Sequence, residues 1–137
     1  MSRQDIPASV RMAVRSRASE RCEYCGVPEI GAFFAPEPDH IIARQHRGET
    51  RLENLALACL QCNRCKGPNV ASVDPITNEI VRLFNPRTDR WHDHFVMENG
   101  QIIPLTSIGR ATAALRDFNQ PDRQETRRVL LGLRKAP

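Results

Sequence analysis

Ile6, Val10, Ala13, Val14 and Ala18 recur at helical spacing, which predicts a helix over 5–19 with one face packed on the rest of the molecule. Asp5 stands where it can cap that helix, and Pro7 is tolerated in a first turn. Pro28, Pro36 and Pro38 then exclude a helix across 28–38, where Phe33-Phe34 is a candidate short strand pairing with 39–43. Ile41-Ile42 closes one short apolar run and Leu55 to Ala58 forms another, so both read as strands. The polar stretch 44–53 between them reads as an exposed loop turning at Gly48, with Thr50 and Glu53 spaced as a capping box. A helix over 60–66 follows, stopped by Gly67-Pro68. Residues 69–90 look irregular apart from one strand at 79–84. Phe95-Val96-Met97 and Ile102-Ile103 flank the turn signal Glu98-Asn99-Gly100, which predicts a hairpin over 93–105. Helices are expected over 109–118 and 121–134, the second opened by Pro121-Asp122.

A chain of 137 residues with 40% hydrophobic content suits a single domain with a modest core. It divides into an N-terminal helix (1–20), a central unit (21–68) and an accessory hairpin with a basic helical tail (69–137). The central unit is too small to rest on apolar burial alone, and units of that size usually carry a metal or disulfide staple. Cysteine usage points to the metal. Five cysteines exclude a complete internal disulfide set, and two C-x-x-C pairs, Cys22/Cys25 and Cys59/Cys62, are separated by 33 residues. Four thiolates at this spacing suit a tetrahedral structural Zn²⁺, with Gly26 permitting the turn after Cys25 and Cys65 left as a spare thiol. Such pairs fit a reducing compartment. No stretch has the apolar length of a signal peptide or a membrane span, so a soluble, cytoplasmic protein is expected.

The stretch between the cysteine pairs carries polar residues that zinc does not need: Asp39-His40, Asn54, and Asn63 in the first turn of the expected 60–66 helix. The pattern DHI…NL…CxxCNxxKG over residues 22–67 resembles the HNH endonuclease family, continued more weakly by FNPR…W..HF…GRAT. Asn63 stands where the last His of the family's name falls, a variant the family uses. The resemblance implies an α+β fold: a treble-clef ββα-metal core with a Cys₄ zinc, plus an N-terminal helix and a C-terminal hairpin and helices. It also implies metal-dependent hydrolysis of DNA phosphodiester bonds, leaving 5′-phosphate and 3′-hydroxyl ends. His40 is then the general base, Asp39 and Asn63 hold a catalytic divalent metal, and Asn54 orients the loop beside His40.

The residue types suit that chemistry. A neutral imidazole accepts a proton from water near neutral pH. A divalent cation neutralises phosphate charge and helps the leaving oxygen. Carboxylate and amide oxygens favour Mg²⁺ or Mn²⁺, and the neutral Asn63 leaves the choice between them open. Adjacent residues of a regular strand point to opposite faces, so Asp39 and His40 need a bend at the strand end to address one phosphate.

A net charge of +4 and a pI of about 9.1 are mild support for a polyanionic partner. From Arg110 onward there are seven Lys/Arg against three Asp/Glu, a surplus that reads either as a nucleic-acid contact or as a solvated helix face. Arg11, Arg15 and Arg17 point to solvent or to a phosphate, the solvated face being favoured, and His46 reads as a solvated loop histidine ahead of a phosphate or metal contact. Arg64 and Lys66 suit phosphate contact or a helix C-terminus equally. In Trp91-His92-Asp93-His94 the two histidines would share a strand face, with His94 supporting the fold and Trp91 in the core. The competing readings are a zinc-stapled module that binds nucleic acid without cutting it, and a structural zinc protein that binds another protein. A homodimer, or a partner supplying sequence specificity, is compatible with the absence of a visible recognition domain.

Overall fold

The computed structural model describes residues 6–29 and 35–132. Asp5, the Phe33-Phe34 strand and the end of the last expected helix therefore lie outside the described residues. The elements run α1 (Ala8–Arg17), β1 (Glu37–His40), β2 (Leu55–Ala58), α2 (Leu60–Lys66), β3 (Ala71–Val73), β4 (Ile80–Arg82), α3 (Trp91–His94), β5 (Phe95–Glu98), β6 (Gln101–Pro104), α4 (Ser107–Leu115) and α5 (Pro121–Leu130). Three antiparallel pairs, β1–β2, β3–β4 and β5–β6, form separate two-stranded sheets. Two-stranded sheets are not stable alone, so each must be buried against other elements.

Strand β2 is the pivot. All four of its residues are buried, so it is covered on both faces. Leu55 and Leu57 pack with Ile6 and Val14, flanked by Val10 and Ala18 of the N-terminal segment. Ala56 and Ala58 face the other way, among the four paired cysteines, Tyr24, Phe84, Phe95 and Phe118. The large side chains meet a helix, and the small ones leave room for sulfur and aromatic rings. Helix α1 thus packs on the hairpin face opposite the cysteines, and Ala13 is exposed. Pro7 is the N-cap residue of α1 rather than part of its first turn. Arg15 and Arg17 are not simply solvated. Arg15 pairs with Glu29 and donates to the Pro36 carbonyl at 3.1 Å. Arg17 donates to the carbonyls of Leu52 at 2.9 Å and Leu55 at 2.6 Å.

The segment beyond α2 holds two hairpins, not one. Ala71–Val73 was not legible as a strand because three residues carry too little periodicity; it pairs with Ile80–Arg82 in register Ser72↔Val81. The second hairpin matches the expected turn, with Asn99 and Gly100 at φ 50° and 89° and Glu98 opposite Gln101. Gly100 is needed for space as well as for its dihedral, since a Cβ there would lie 2.3 Å from the Gln124 carbonyl oxygen. Trp91-His92-Asp93-His94 forms a helical turn, so the two histidines do not share a face. His92 is exposed, while His94 stands edge-on to Phe84 with ring centroids 5.8 Å apart. Trp91 donates from Nε1 to the Tyr24 carbonyl at 2.8 Å, which ties this turn to the first cysteine knuckle.

The basic tail turns inward. Arg116, Arg123 and Arg127 are buried, at 1%, 5% and 0% exposure. Arg110 makes a bidentate pair with the buried Asp74, at 2.9 and 2.7 Å. Much of the surplus charge beyond Arg110 is therefore spent on internal contacts, and neither a solvated face nor a nucleic-acid surface describes those four residues.

Candidate active site and metal centre

Two knuckles bring Cys22, Cys25, Cys59 and Cys62 together. The first is a turn from Cys22 to Gly26, closed by Gly26 N–H donating to Cys22 O at 2.9 Å, with Gly26 at φ 82°. The second is the start of α2, where Cys59 is the N-cap and its sulfur accepts from Cys62 N–H. The four Sγ atoms lie within 4.8 Å of one another, and all four side chains are buried. The Cys25 and Cys59 sulfurs are 3.7 Å apart. A tetrahedron with Zn–S bonds of about 2.3 Å has edges of about 3.8 Å, so the spacing fits zinc. Burial and the neighbouring sulfurs push the Cys62 thiol well above its ordinary value. Four thiolates in this space need a cation among them. Cys65 is exposed and outside the cluster.

His40 ends β1. Register pairs Asp39 with Ala56 and His40 with Leu55, so Asp39 leaves the cysteine-bearing face of the hairpin and His40 the other. Both are half-buried, and the chain bends immediately after them, at Ile41 and Ile42. Every backbone polar group of those two residues is engaged. Ile41 N–H donates to Asn54 O at 2.8 Å. Lys66 Nζ donates to Ile41 O at 3.0 Å. Asn54 Oδ1 accepts from Ile42 N–H at 2.8 Å, and Asn54 Nδ2 donates to Ile42 O at 3.0 Å and to Glu49 O at 2.9 Å. Gly48 closes the loop against this clamp, because a Cβ there would lie 1.7 Å from Ile42 O.

His40 Nε2 lies 2.8 Å from Thr50 Oγ1, which also accepts from Arg44 Nη1 at 2.9 Å. Thr50 is therefore not the first residue of a capping box. The short 3₁₀ turn Leu52–Asn54 has Arg51 at its N-cap and no side-chain cap bond. Thr50's hydroxyl is taken by the histidine and the arginine instead. Burial holds the His40 imidazole below its ordinary value, with Asp39 opposing and Arg44 adding to the lowering. His46 is exposed on the 3₁₀ turn Arg44–His46.

Asn63 is half-buried on α2, one helical turn before Lys66 and on the same side of the helix. Lys66 is buried; burial and the nearby Arg116 lower it to about 8, against an opposing pull from Asp39. Asp39, next to the end of β1, lies near enough to Lys66 to act on its charge, and Asn63 lies one turn from Lys66 on α2. Lys66 is not a phosphate contact, since its ammonium points into the protein at Ile41 O. Arg44, and the bond of Thr50 to His40, escaped sequence reasoning, because a hydroxyl and an arginine in a polar loop carry no periodic signal.

A zinc knuckle, a hairpin and a helix supplying the last two sulfurs define a treble-clef-like metal core in an α+β protein. Residues 22–69 match the family model described as HNH endonuclease. The match implies a nuclease-type, metal-binding domain over that stretch. Neither the curated proteins nor the solved structures hold a match to the chain. No helix among the described residues is long and apolar enough to cross a membrane.

Proposed function

We propose that the protein is an endonuclease that hydrolyses DNA phosphodiester bonds, with His40 as general base. The observation that carries this reading is the setting of His40: the first two residues after it are fixed by Asn54 and Lys66, inside the stretch that matches the HNH family. A general base must be held in place and kept unprotonated near neutral pH. The clamp answers the first need and burial the second.

Asp39 and Asn63 would hold the catalytic divalent cation through a carboxylate and an amide oxygen, a donor set suited to Mg²⁺ or Mn²⁺. When bound, that cation supplies charge neutralisation at the phosphate and stabilises the leaving oxygen. His40 accepts the proton of the attacking water at one ring nitrogen. Thr50 bonds Nε2 and so restricts the ring's orientation. Asn54 holds the loop that carries Thr50, through Ile42 and Glu49. Arg44, exposed and bonded to Thr50, presents a cation beside His40 where a phosphate would approach. The cysteine-bound zinc stays structural, because four sulfurs fill a tetrahedral shell and leave no position for water.

The test is cleavage of supercoiled plasmid by the zinc-loaded protein with Mg²⁺, with Mn²⁺ and with EDTA, beside His40→Ala. Nicked or linear product that requires both the metal and His40 supports the proposal. DNA binding without cutting under every metal would instead favour a zinc-stapled binding module.

A further inference from the structure

The metal centre does not end with its sulfurs. Arg123 of α5 reaches the cysteine cluster from 61 residues beyond Cys62. Its Nη2 lies 2.9 Å from Cys62 Sγ and 3.8 Å from Cys59 Sγ. Its Nη1 donates to the Arg116 carbonyl and, at 3.0 Å, to the Asp117 carbonyl, which fixes the plane of the guanidinium. Arg116 donates to Cys62 O at 2.9 Å and stacks 3.5 Å above the ring of Tyr24, between Cys22 and Cys25 in the first knuckle. Arg127 is fixed by bonds to Gly100 O at 2.7 Å and Phe118 O at 2.6 Å.

Burying a guanidinium is costly unless a charge or several hydrogen bonds answer it. Four thiolates around one divalent ion leave a surplus of two negative charges, and Arg123 faces that surplus directly.

We infer that Arg123 is a positioning residue of the zinc centre, its N–H···S bond to Cys62 offsetting thiolate charge and retaining the ion. Hydrogen bonds to metal ligands govern metal affinity by factors of about 10–100. The zinc site then extends well past the family-matched segment 22–69, into helix α5. A planar guanidinium reaches sulfur and carbonyl together, which one ammonium cannot do.

The test uses the zinc-loaded full chain, a chromogenic chelator in excess, and the rate of zinc transfer. Arg123→Met should release zinc about 10–100-fold faster, with Arg123→Lys between it and the parent. Asn119→Ala is the control, because Asn119 ties the α4–α5 connection to Ile102 at 2.8 Å without touching sulfur. It should release zinc at the parent rate. In cadmium-substituted protein the metal NMR resonance should shift in the Arg123 variants and stay in place in Asn119→Ala. Release from both Arg123 variants at the parent rate would overturn the inference. So would Asn119→Ala matching Arg123→Met, since that would make the effect one of general stability. If Arg123→Met does not fold, Arg123→Lys decides alone: faster release supports the inference and the parent rate overturns it.

Discussion

The cysteine centre and the His40 rim sit on either side of one short hairpin, yet they are held by opposite means. The centre is assembled from across the chain. Cys22 and Cys62 come from the core, Phe84 and Phe95 from the following segments, and Arg123 from the last helix. Its aromatic rings meet edge-on, with Phe84–Phe95 and Phe95–Phe118 centroids 5.5 and 5.7 Å apart. The rim is local. Thr50, Asn54 and Lys66, which bond His40 and the bend after it, all lie within the same short stretch, and most of these ties are hydrogen bonds to backbone at or near the surface. Buried, long-range contacts make the first region a source of stability. Solvent-facing, short-range bonds leave the second open to a substrate while fixing its backbone.

That contrast is broken most severely at the centre. Stripping the metal, or replacing Cys25 by Ser, should abolish cooperative thermal unfolding followed by circular dichroism. Structural zinc contributes on the order of 10 kcal/mol to folding in small domains, and the aromatic core here is built against its ligands. A chelated sample that keeps the parent transition would show the core to be self-sufficient.

At the rim the separation should run the other way. His40→Ala should lower plasmid cleavage at least about 100-fold while zinc content and melting temperature stay near the parent's. The imidazole is only half-buried, and its Nε2 is bonded to the Thr50 hydroxyl. A large fall in melting temperature would mean that the rim carries stability after all.

Asn54→Ala falls between these. It removes bonds to Ile42 N–H, Ile42 O and Glu49 O, all near the surface where water can replace them in part. A loss of about 2–3 kcal/mol is expected, together with a fall in cleavage, because the loop carrying Thr50 is released. Equilibrium denaturation and the plasmid assay read the two effects on one variant. A loss of stability with full activity would separate Asn54 from His40.

The centre was legible because metal ligation imposes spacing, and two C-x-x-C pairs have few other uses. The strand Leu55–Ala58, the helix Leu60–Lys66 and the turn at Asn99-Gly100 followed from patterns that are local in sequence. What was not legible is what depends on long-range geometry. Arg116, Arg123 and Arg127 look like surface charge in a helical sequence, and only the approach of α5 to Cys62 shows them to be internal. Ala71–Val73 is too short to alternate visibly. Thr50 fits a capping pattern, but its hydroxyl turns to His40 and Arg44 once the loop closes on Gly48. Asp39, His40, Asn54 and Asn63 entered through resemblance to a family, since a polar residue at a strand end has no periodic signature.

Lys66 joins the two regions and gives the smallest expected effect. It lies on the helix that carries Cys62, and its ammonium bonds Ile41 O beside His40. Burial first, and then Arg116, lower it to about 8 from an ordinary 10.5, with Asp39 pulling the other way. The folded protein therefore holds this proton less tightly than the unfolded chain does. Between about pH 8 and 10.5 the unfolded state binds more protons, so the Lys66 contribution makes stability rise with pH across that window. The rise should amount to about 1–2 kcal/mol once partial solvent screening is allowed for. Lys66→Met removes the titration. Denaturation midpoints at pH 8 and pH 10 should show a smaller upward change in the variant than in the parent. Equal changes in both would mean that the ammonium is as well solvated in the fold as out of it, and that the rim is not tied to α2 through a desolvated charge.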